Sequence, residues 1–314
     1  MSNYLNEDRK LSEESGSRSH DAVKTKTSII VSTHNSFSTL KATIESIIQN
    51  TFVPYELIVV SASSTDATNS QIPLLFPDVK LIEAPDVGWG EANNIGFEHS
   101  DGELLVFMGA DCQVTPGWLD AILTQYGKLN NVGVLGSLVL KDGTYSVGGK
   151  FRFVPGLLWR DIKEFELKQV PFEFQYLRHP VCSRTVFHQI GGFDSSFFYT
   201  CDEIDFCLRS LRAGFKNYVI PGSIIYTTET PTSYKTSYYT TINQFRLITR
   251  FNHIFLYPIV IPFYYFQYIF LYFLLLAKNQ KKARSGISDA LKYVTINIFS
   301  IIRGRNKPCF RSIV

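Results

Sequence analysis

Two short stretches carry the acids best placed for chemistry. In FMGADCQVTPGW, Phe107 to Trp118, an apolar run ends in a small turn holding one carboxylate, Asp111. In YTCDEIDFCLR, Tyr199 to Arg209, three acids crowd one turn: Asp202, Glu203 and Asp205. A carboxylate can ligate a hard divalent cation or take a proton from an attacking hydroxyl. Each also has a structural use. Asp111 can turn or cap the chain before Thr115, and Asp202 with Asp205 three residues on resembles a capping box.

The elements that must position these acids follow from hydropathy. SIIVST, ELIVVSA, VKLIEA, ELLVFMGA and VGVLGSLVL are short apolar runs, as expected of strands buried on both faces. Helices are predicted between them. Ser36 to Asn50 has Leu40, Ile44, Ile47 and Ile48 at helical spacing; TDATNSQIPLLF is shorter; Trp89 to Ser100 is a third. Thr115 to Lys128 is a fourth, with Thr115 as its cap and Pro116 in its first turn. Between Lys141 and Pro180 the pattern loosens, and KDGTYSVGGKFRF reads as a hairpin. RTVFHQIGGFD is a helix stopped by a glycine pair, DEIDFCLRSLRAGF one stopped at Gly214, and YVIPGSIIYT closes the globular part. The alternation predicts an α/β fold with a mostly parallel sheet flanked by helices. Ligands of such sheets bind beyond the carboxyl ends of the strands. Ser32 to Asn35, Ser61 to Asp66, Gly88 to Asn94 and Asp111 all stand at such ends. No GxGxxG follows the first strand, so this is not a dinucleotide fingerprint.

The ends of the chain differ from its middle. Met1 to Lys26 is polar and is expected to be disordered. No export signal opens the chain, so the folded part is expected in the cytoplasm. Five cysteines without a CxxC pair point to reduced thiols rather than zinc or disulfides. Ile254 to Ala277 carries no charge, a length that can span a bilayer. Its tyrosines, Pro258 and Pro262 also fit an interfacial or re-entrant segment. KNQKKAR follows, and then Ile287, Leu291, Val294, Ile298 and Ile301 mark one apolar helix face. From Lys278 onward there are nine Lys or Arg against one acid, Asp289. Such a tail fits an anionic membrane surface; a buried helix pair is the other reading. A single pass would put the basic tail opposite a cytoplasmic domain, against the positive-inside tendency, so a peripheral, monotopic or re-entrant anchor is preferred.

Four blocks occur in register: SIIVSTHNSFSTLKATIESIIQNT, YELIVVSASSTDAT, GWGEANNIGFEHSDGELLVFMGADCQVTPGWL and SRTVFHQIGGFDSSFFYTCDEIDFCLRSLRAGF. Together, over Thr27 to Thr230, they resemble a family 2 glycosyltransferase of the GT-A fold. The style is that of the rhamnosyltransferase-like members that build bacterial surface polysaccharides. The resemblance implies a Rossmann-like GT-A domain over 27–235, between the polar tail 1–26 and a membrane-associated helical region 236–314. It implies inverting transfer of a sugar from a nucleoside-diphosphate sugar to a hydroxyl of a lipid-linked or cell-surface glycan, at the cytoplasmic face of the membrane.

It also implies residue roles. Asp111 matches the last acid of a DxD-like motif and would help hold magnesium or manganese. Gly109 stands where the first acid or an asparagine would be, and Thr227 and Thr228 stand where a histidine often follows the final strand. Glu203 matches the catalytic base, paired with Asp202 in reversed acid order. Ser32, His34 and Asn35 would line the nucleotide pocket, His34 in place of a common tyrosine. Ser61 replaces the aspartate that reads the base edge. Asp66 matches a later acid, where helix capping competes with ligand contact. Asn93 and Asn94 would face the diphosphate-sugar region, and Trp89 would wall the pocket or belong to the core. Arg184 and Arg209 would meet phosphate or acceptor charge, or form surface salt bridges. The implied partners are the sugar donor, a glycan or glycolipid acceptor and the membrane surface, with no nucleic acid. The departures leave a second reading: a degenerate, non-catalytic member that binds a nucleotide sugar or a partner enzyme. A nucleotidyltransferase shares a related sheet but opens with a glycine-rich, arginine-bearing loop, which STHNSFSTL lacks.

Overall fold

The computed structural model describes residues 25–141, 143–151, 157–162, 170–227 and 233–304. The polar tail over 1–24, Thr228 and Cys309 lie outside the described residues.

The first half is a parallel sheet. Strands β1 (Thr27–Thr33), β2 (Tyr55–Ala62), β3 (Lys80–Ala84) and β4 (Leu104–Gly109) pair in the order β3-β2-β1-β4. Helices α1 (Phe37–Asn50), α2 (Thr68–Leu75) and α3 (Trp89–Glu98) make the crossovers. Every residue of β1 is buried, which is why a continuous apolar run suits it.

Beyond β4 the sheet becomes mixed. The short β10 (Val181–Ser183) lies antiparallel between β4 and β6 (Val132–Lys141). Strand β11 (Lys216–Thr227) runs parallel to β6, and β5 (Cys112–Val114) closes the edge antiparallel to β11. Of the stretch expected to form a hairpin, Asp142, Arg152 and Phe153 lie outside the described residues, and the rest supplies one strand, β7 (Thr144–Phe151), which pairs antiparallel with the end of β6 and carries β8 (Leu157–Ile162). The two-residue β9 (Phe172–Glu173) pairs with β11.

Helices cover both faces. On one, α3, α5 (Arg184–Ile190), α6 (Asp202–Arg212) and the loop between the last two pack Phe97, Phe187, Phe206 and Phe193 into one cluster with Phe107 of β4. On the other, α1, α2 and α4 (Trp118–Tyr126) bury Leu40, Ile44, Ile72, Trp118 and Ile122. Helix α4 starts three residues later than the sequence predicts. Thr115 does not cap it: its amide and hydroxyl both donate to the Ile224 carbonyl, at 3.2 and 3.0 Å, continuing the β5–β11 ladder. Gly117, at φ 73, then turns the chain into the helix. Tertiary pairing outcompetes the local capping signal here.

Three helices follow: α7 (Tyr234–Phe251), α8 (Tyr257–Ala277) and α9 (Lys281–Gly304). Ser233 caps α7 by accepting the Thr236 amide at 3.1 Å. The apolar stripe of α9 is not turned to a membrane. Ile287, Val294 and Ile301 are buried against Ile242, Phe245 and Ile248 of α7 and Val260, Tyr264 and Tyr268 of α8. The exposed apolar surface is instead that of α8, with Phe266, Phe270 and Phe273, joined by Ile296 and Phe299 of α9. Ile254–Ala277 is, among the described residues, the one helical segment long and apolar enough to cross a membrane.

Candidate active site

The carboxyl ends of β1, β2 and β4 stand side by side, because register pairs Thr33 with Ser61 and Ser32 with Gly109. Asn35 follows β1 in the left-handed region at φ 49, which asparagine tolerates better than most residues. Its Oδ1 accepts the amides of Thr65 and Asp66 at 2.7 and 3.3 Å, tying the loop after β1 to the loop after β2. Asp66 accepts the Phe37 amide at 2.9 Å and the Thr68 amide at 3.0 Å, so one carboxylate serves the starts of α1 and α2. What burial it has raises the Asp66 carboxyl, but these hydrogen bonds prevail and hold it below the usual range. The exposed His34 has Nδ1 at 2.6 Å from the Ala62 carbonyl and Nε2 at 3.2 Å from Asn35 Nδ2. That pairing assigns the proton to Nδ1.

Ser32 Oγ lies 3.4 Å from Asn93 Nδ2, which also donates to the Trp89 carbonyl at 2.8 Å. Asn93 Oδ1 is buried with no hydrogen-bond partner in the fold, an arrangement that folded chains rarely leave. Trp89 is half-buried, edge-on to Phe193 at 5.1 Å. Three expected roles are not supported. Asn94 is spent on structure: it accepts the Phe193 amide at 2.9 Å and donates to the Phe193 carbonyl and Glu91, both at 3.0 Å. Ser61 is fully buried and, by strand alternation, shares the Val59 face toward α1 and α2. Arg184 and Arg209 are latches rather than phosphate ligands or surface pairs. Arg184 donates to the Gly102 and Ser100 carbonyls, both at 2.8 Å. Arg209 joins Asp205 to the Ile190 and Gly192 carbonyls, each at 2.7 Å.

At the tip of β4, Ala110 and Asp111 turn the chain into β5, where Cys112 faces Thr227. A Cβ on Gly109 would come within 2.8 Å of Asp111 Oδ1, so an acid there would crowd Asp111 as it stands. Burial lifts the Asp111 carboxyl above its ordinary range, against the pull of hydrogen bonds and of the Arg178 charge. The Cys112 thiol reaches Asp111 Oδ1 at 3.7 Å, and the His179 ring lies 3.5 Å from the same sulfur. The His179 amide donates to Glu203 Oε1, and the Tyr176 hydroxyl to Glu203 Oε2, both at 3.3 Å. Asp111 and Glu203 thus end one chain of contacts.

Sequence reasoning missed Tyr176, Arg178 and His179. They fall where the periodicity loosens, and the only signal was a polar, aromatic cluster, QYLRHP, just before a strand. A histidine from before β10, rather than from after β11, therefore stands against Cys112, the residue that follows Asp111. Burial, reinforced by Arg178, drives its pKa down to about 3, so the ring is neutral.

The acid pair opens α6 after two successive left-handed residues, Thr200 at φ 65 and Cys201 at φ 67. Such a conformation costs about 1–2 kcal/mol per residue, and it is rarest for a branched side chain such as threonine. The capping box is absent. Asp202 Oδ1 accepts only the next amide, that of Glu203, at 3.2 Å. Asp205 is fully buried and paired with Arg209 at 2.7 Å and Arg250 at 2.6 Å. Asp202 is also buried, its Oδ2 beside the Gly90 amide without a well-formed hydrogen bond. Burial, then the Glu203 charge, pushes Asp202 up to about 8. Burial raises Glu203 too, but Arg178, the His179 amide and the Tyr176 hydroxyl favour its charged form. Both carboxyls are raised on balance, and only Glu203 has a cation, Arg178, among the groups that favour its charged form.

This fold belongs with known proteins. The chain is a member of glycosyl transferase family 2, matched over residues 28–192. An uncharacterized glycosyltransferase of Haemophilus influenzae is 28% identical over 141 residues, covering 43% of this chain and 43% of that protein. The N-acetylglucosaminyl-diphospho-decaprenol L-rhamnosyltransferase of Mycobacterium tuberculosis is 23% identical over 201 residues, 54% of this chain and 65% of the relative. The crystal structure of GalNAc-T7 with UDP, GalNAc and Mn2+ superposes with a TM-score of 0.61 at 18% identity, over 73% of this chain and 48% of that one, which shows a shared GT-A fold. The chain thus spans less than half of the first relative's length. The family match ends at residue 192, ahead of Asp202 and Glu203, so their assignment rests on the geometry above.

Proposed function

We propose that the chain transfers a sugar, with inversion, from a nucleoside-diphosphate sugar to a hydroxyl of a lipid-linked or cell-surface glycan. The observation that carries this reading is a continuous rim. It runs from His34, Asn35 and Asp66 through Ser32 and Asn93 to Asp111, and by Cys112 and His179 to Glu203. The nucleotide lies at the His34 end, with Trp89 as a wall, and the reacting sugar lies between Asp111 and Glu203. Glu203 takes the proton of the acceptor hydroxyl as its oxygen attacks the anomeric carbon. The bond from that carbon to the diphosphate breaks, and the nucleoside diphosphate leaves with the electron pair. Protonated Asp202 keeps a second negative charge away from the base.

Asp111 fits a magnesium or manganese ion that is completed by donor oxygens and water. Such ions need few protein carboxylates, and burial leaves this one in want of a positive charge. No cluster of three His, Cys, Asp or Glu side chains forms a closed metal cage among the described residues, so ion binding depends on the donor. When bound, the ion offsets charge on the departing diphosphate.

The transferase unit spans 27–235, and 236–314 holds it at the cytoplasmic face of the membrane. The exposed phenylalanines of α8 and the nearby Lys278, Lys281 and Lys282 support a monotopic or re-entrant anchor. The decaprenol-linked acceptor in the Mycobacterium relative's name supports a lipid-borne acceptor.

A donor panel with purified protein and membranes, with and without manganese or magnesium, tests this. Transfer is expected with one donor, and Glu203→Gln and Asp111→Asn should abolish it with circular dichroism unchanged. Activity indifferent to a chelator would overturn the ion assignment and leave the transfer standing. Donor binding without turnover would favour the non-catalytic reading that Gly109 and the buried Ser61 motivate.

A further inference from the structure

Helix α7 lies in the region first read as a membrane tail, yet its polar face grips the loop that ends in Asp202. Thr240, Asn243, Arg246 and Arg250 recur three, three and four residues apart, and so share one side of the helix. Asn243 is fully buried and donates its amide to both the Tyr199 and Thr200 carbonyls, each at 2.9 Å. Arg246 Nη1 donates to Asn243 Oδ1 at 2.7 Å and to the Ser196 carbonyl at 2.6 Å, so the amide is itself held in place. The Thr240 hydroxyl lies 3.2 Å from the Thr200 hydroxyl. Arg250 binds Asp194 at the start of the loop and Asp205 one turn into α6.

One helix face therefore holds the beginning, the middle and the end of segment 194–205. Two of these contacts, from Asn243 and Thr240, fall on Thr200, the first of the two residues at which the backbone is strained. Strained dihedrals persist only where the surroundings impose them, and they concentrate at functional sites. We infer that α7 is a positioning element for the transfer step: Asn243 holds the left-handed pair Thr200–Cys201 and thereby aims Glu203 from the first turn of α6. The inference rests on Glu203 being the base of the proposed reaction. It makes α7 part of the catalytic framework. The opposite side of α7, through Ile242, Phe245 and Ile248, seats α8 and α9, so the apolar hairpin and the base share one support.

The test uses the full chain in detergent or with membranes, as Asn243→Ala, Thr240→Val and Glu203→Gln. Three measurements are made. The first is kcat and donor KM, with whichever of UDP-GlcNAc or a nucleoside-diphosphate L-rhamnose supports transfer. The second is UDP affinity by titration, and the third is amide hydrogen exchange across Tyr199 to Glu203. Misplacing a reacting group by about 1 Å can cost about a hundredfold in rate, so Asn243→Ala should lower kcat by about tenfold to a hundredfold. Donor KM and UDP affinity should stay within about twofold, the mark of an interaction used only in the transition state. Thr240→Val removes a single hydroxyl contact and should lower kcat by a smaller factor with Tm unchanged. Exchange at Cys201, Asp202 and Glu203 should quicken in both variants.

Unchanged kcat per folded molecule, or a loss shared equally by kcat, KM and UDP affinity, would overturn the inference. If Asn243→Ala does not fold, Thr240→Val decides. If neither donor turns over, unchanged exchange across the loop overturns it. Normal transfer by Glu203→Gln would remove the base assignment and this inference with it. Inactive Glu203→Gln beside a fully active Asn243→Ala would remove this inference alone.

Discussion

Asp202 and Glu203 are neighbours in sequence and opposites in environment. Glu203 receives two hydrogen bonds, from Tyr176 and the His179 amide, whereas Asp202 is sealed beneath the Gly90 turn. Asp202 has a folded pKa of about 8 against an ordinary value of 3.8, so between those pH values the folded state binds a proton that the unfolded state does not. Stability from this group is therefore full in acid and is lost as pH rises toward 8. Thermal melts from pH 5 to 9 should show a steeper loss of Tm for the native chain than for Asp202→Asn. Tyr176 bears on Glu203, the proposed base. Its hydroxyl favours the charged form of Glu203, so Tyr176→Phe should raise the Glu203 pKa and move the acid limb of kcat/KM to higher pH. A pH–rate profile reads the shift, and an unmoved limb would disconnect Tyr176 from the base.

At the scale of elements, the site is an agreement among helix starts and strand ends. Helix α3 approaches the acid-bearing loop so closely that a Cβ on Gly88 would lie 2.2 Å from the Phe198 carbonyl oxygen. Gly88→Ala should push that loop away, with a loss of about 1–3 kcal/mol in a urea titration and a fall in kcat. Helices α6 and α7 are joined through Arg250, whose side chain is 8% exposed and bound to the fully buried Asp205. Arg250→Met leaves that carboxylate facing Arg209 alone, and removing one partner of a buried pair typically costs about 3–5 kcal/mol. Adding Asp205→Asn should recover part of the loss, because it withdraws the stranded charge.

At the scale of the molecule, two bodies meet along α7: a helix-flanked mixed sheet and a three-helix unit with its own core. The apolar residues that the three-helix unit leaves outside belong mostly to α8, and exposed lysines follow that helix in the chain. Sedimentation with vesicles containing anionic lipid should capture the protein. Phe266→Asp with Phe270→Asp should abolish capture, and Lys281→Glu with Lys282→Glu should weaken it in a manner sensitive to salt. Binding equal to that of neutral vesicles would leave only the apolar contribution.

The sequence by itself determined the alternation of strands and helices, because a strand buried on both faces must be apolar throughout and a helix must show its stripe. It also marked the strand end at Asp111 and the acidic turn that opens α6, since Asp111 and Glu203 sit in short stretches whose composition is local. Tertiary structure decided the rest. Thr115 followed β11 rather than its helix, because the Ile224 carbonyl of that strand offered its amide and hydroxyl an acceptor. The stripe of α9 turned inward, since periodicity shows that a face is apolar and not what covers it. Tyr176 and His179 came to Glu203 from 27 and 24 residues away, and Asn243 came to Thr200 from 43. No local pattern encodes such pairings. They exist because folding brings donors on one element to strained or charged groups on another.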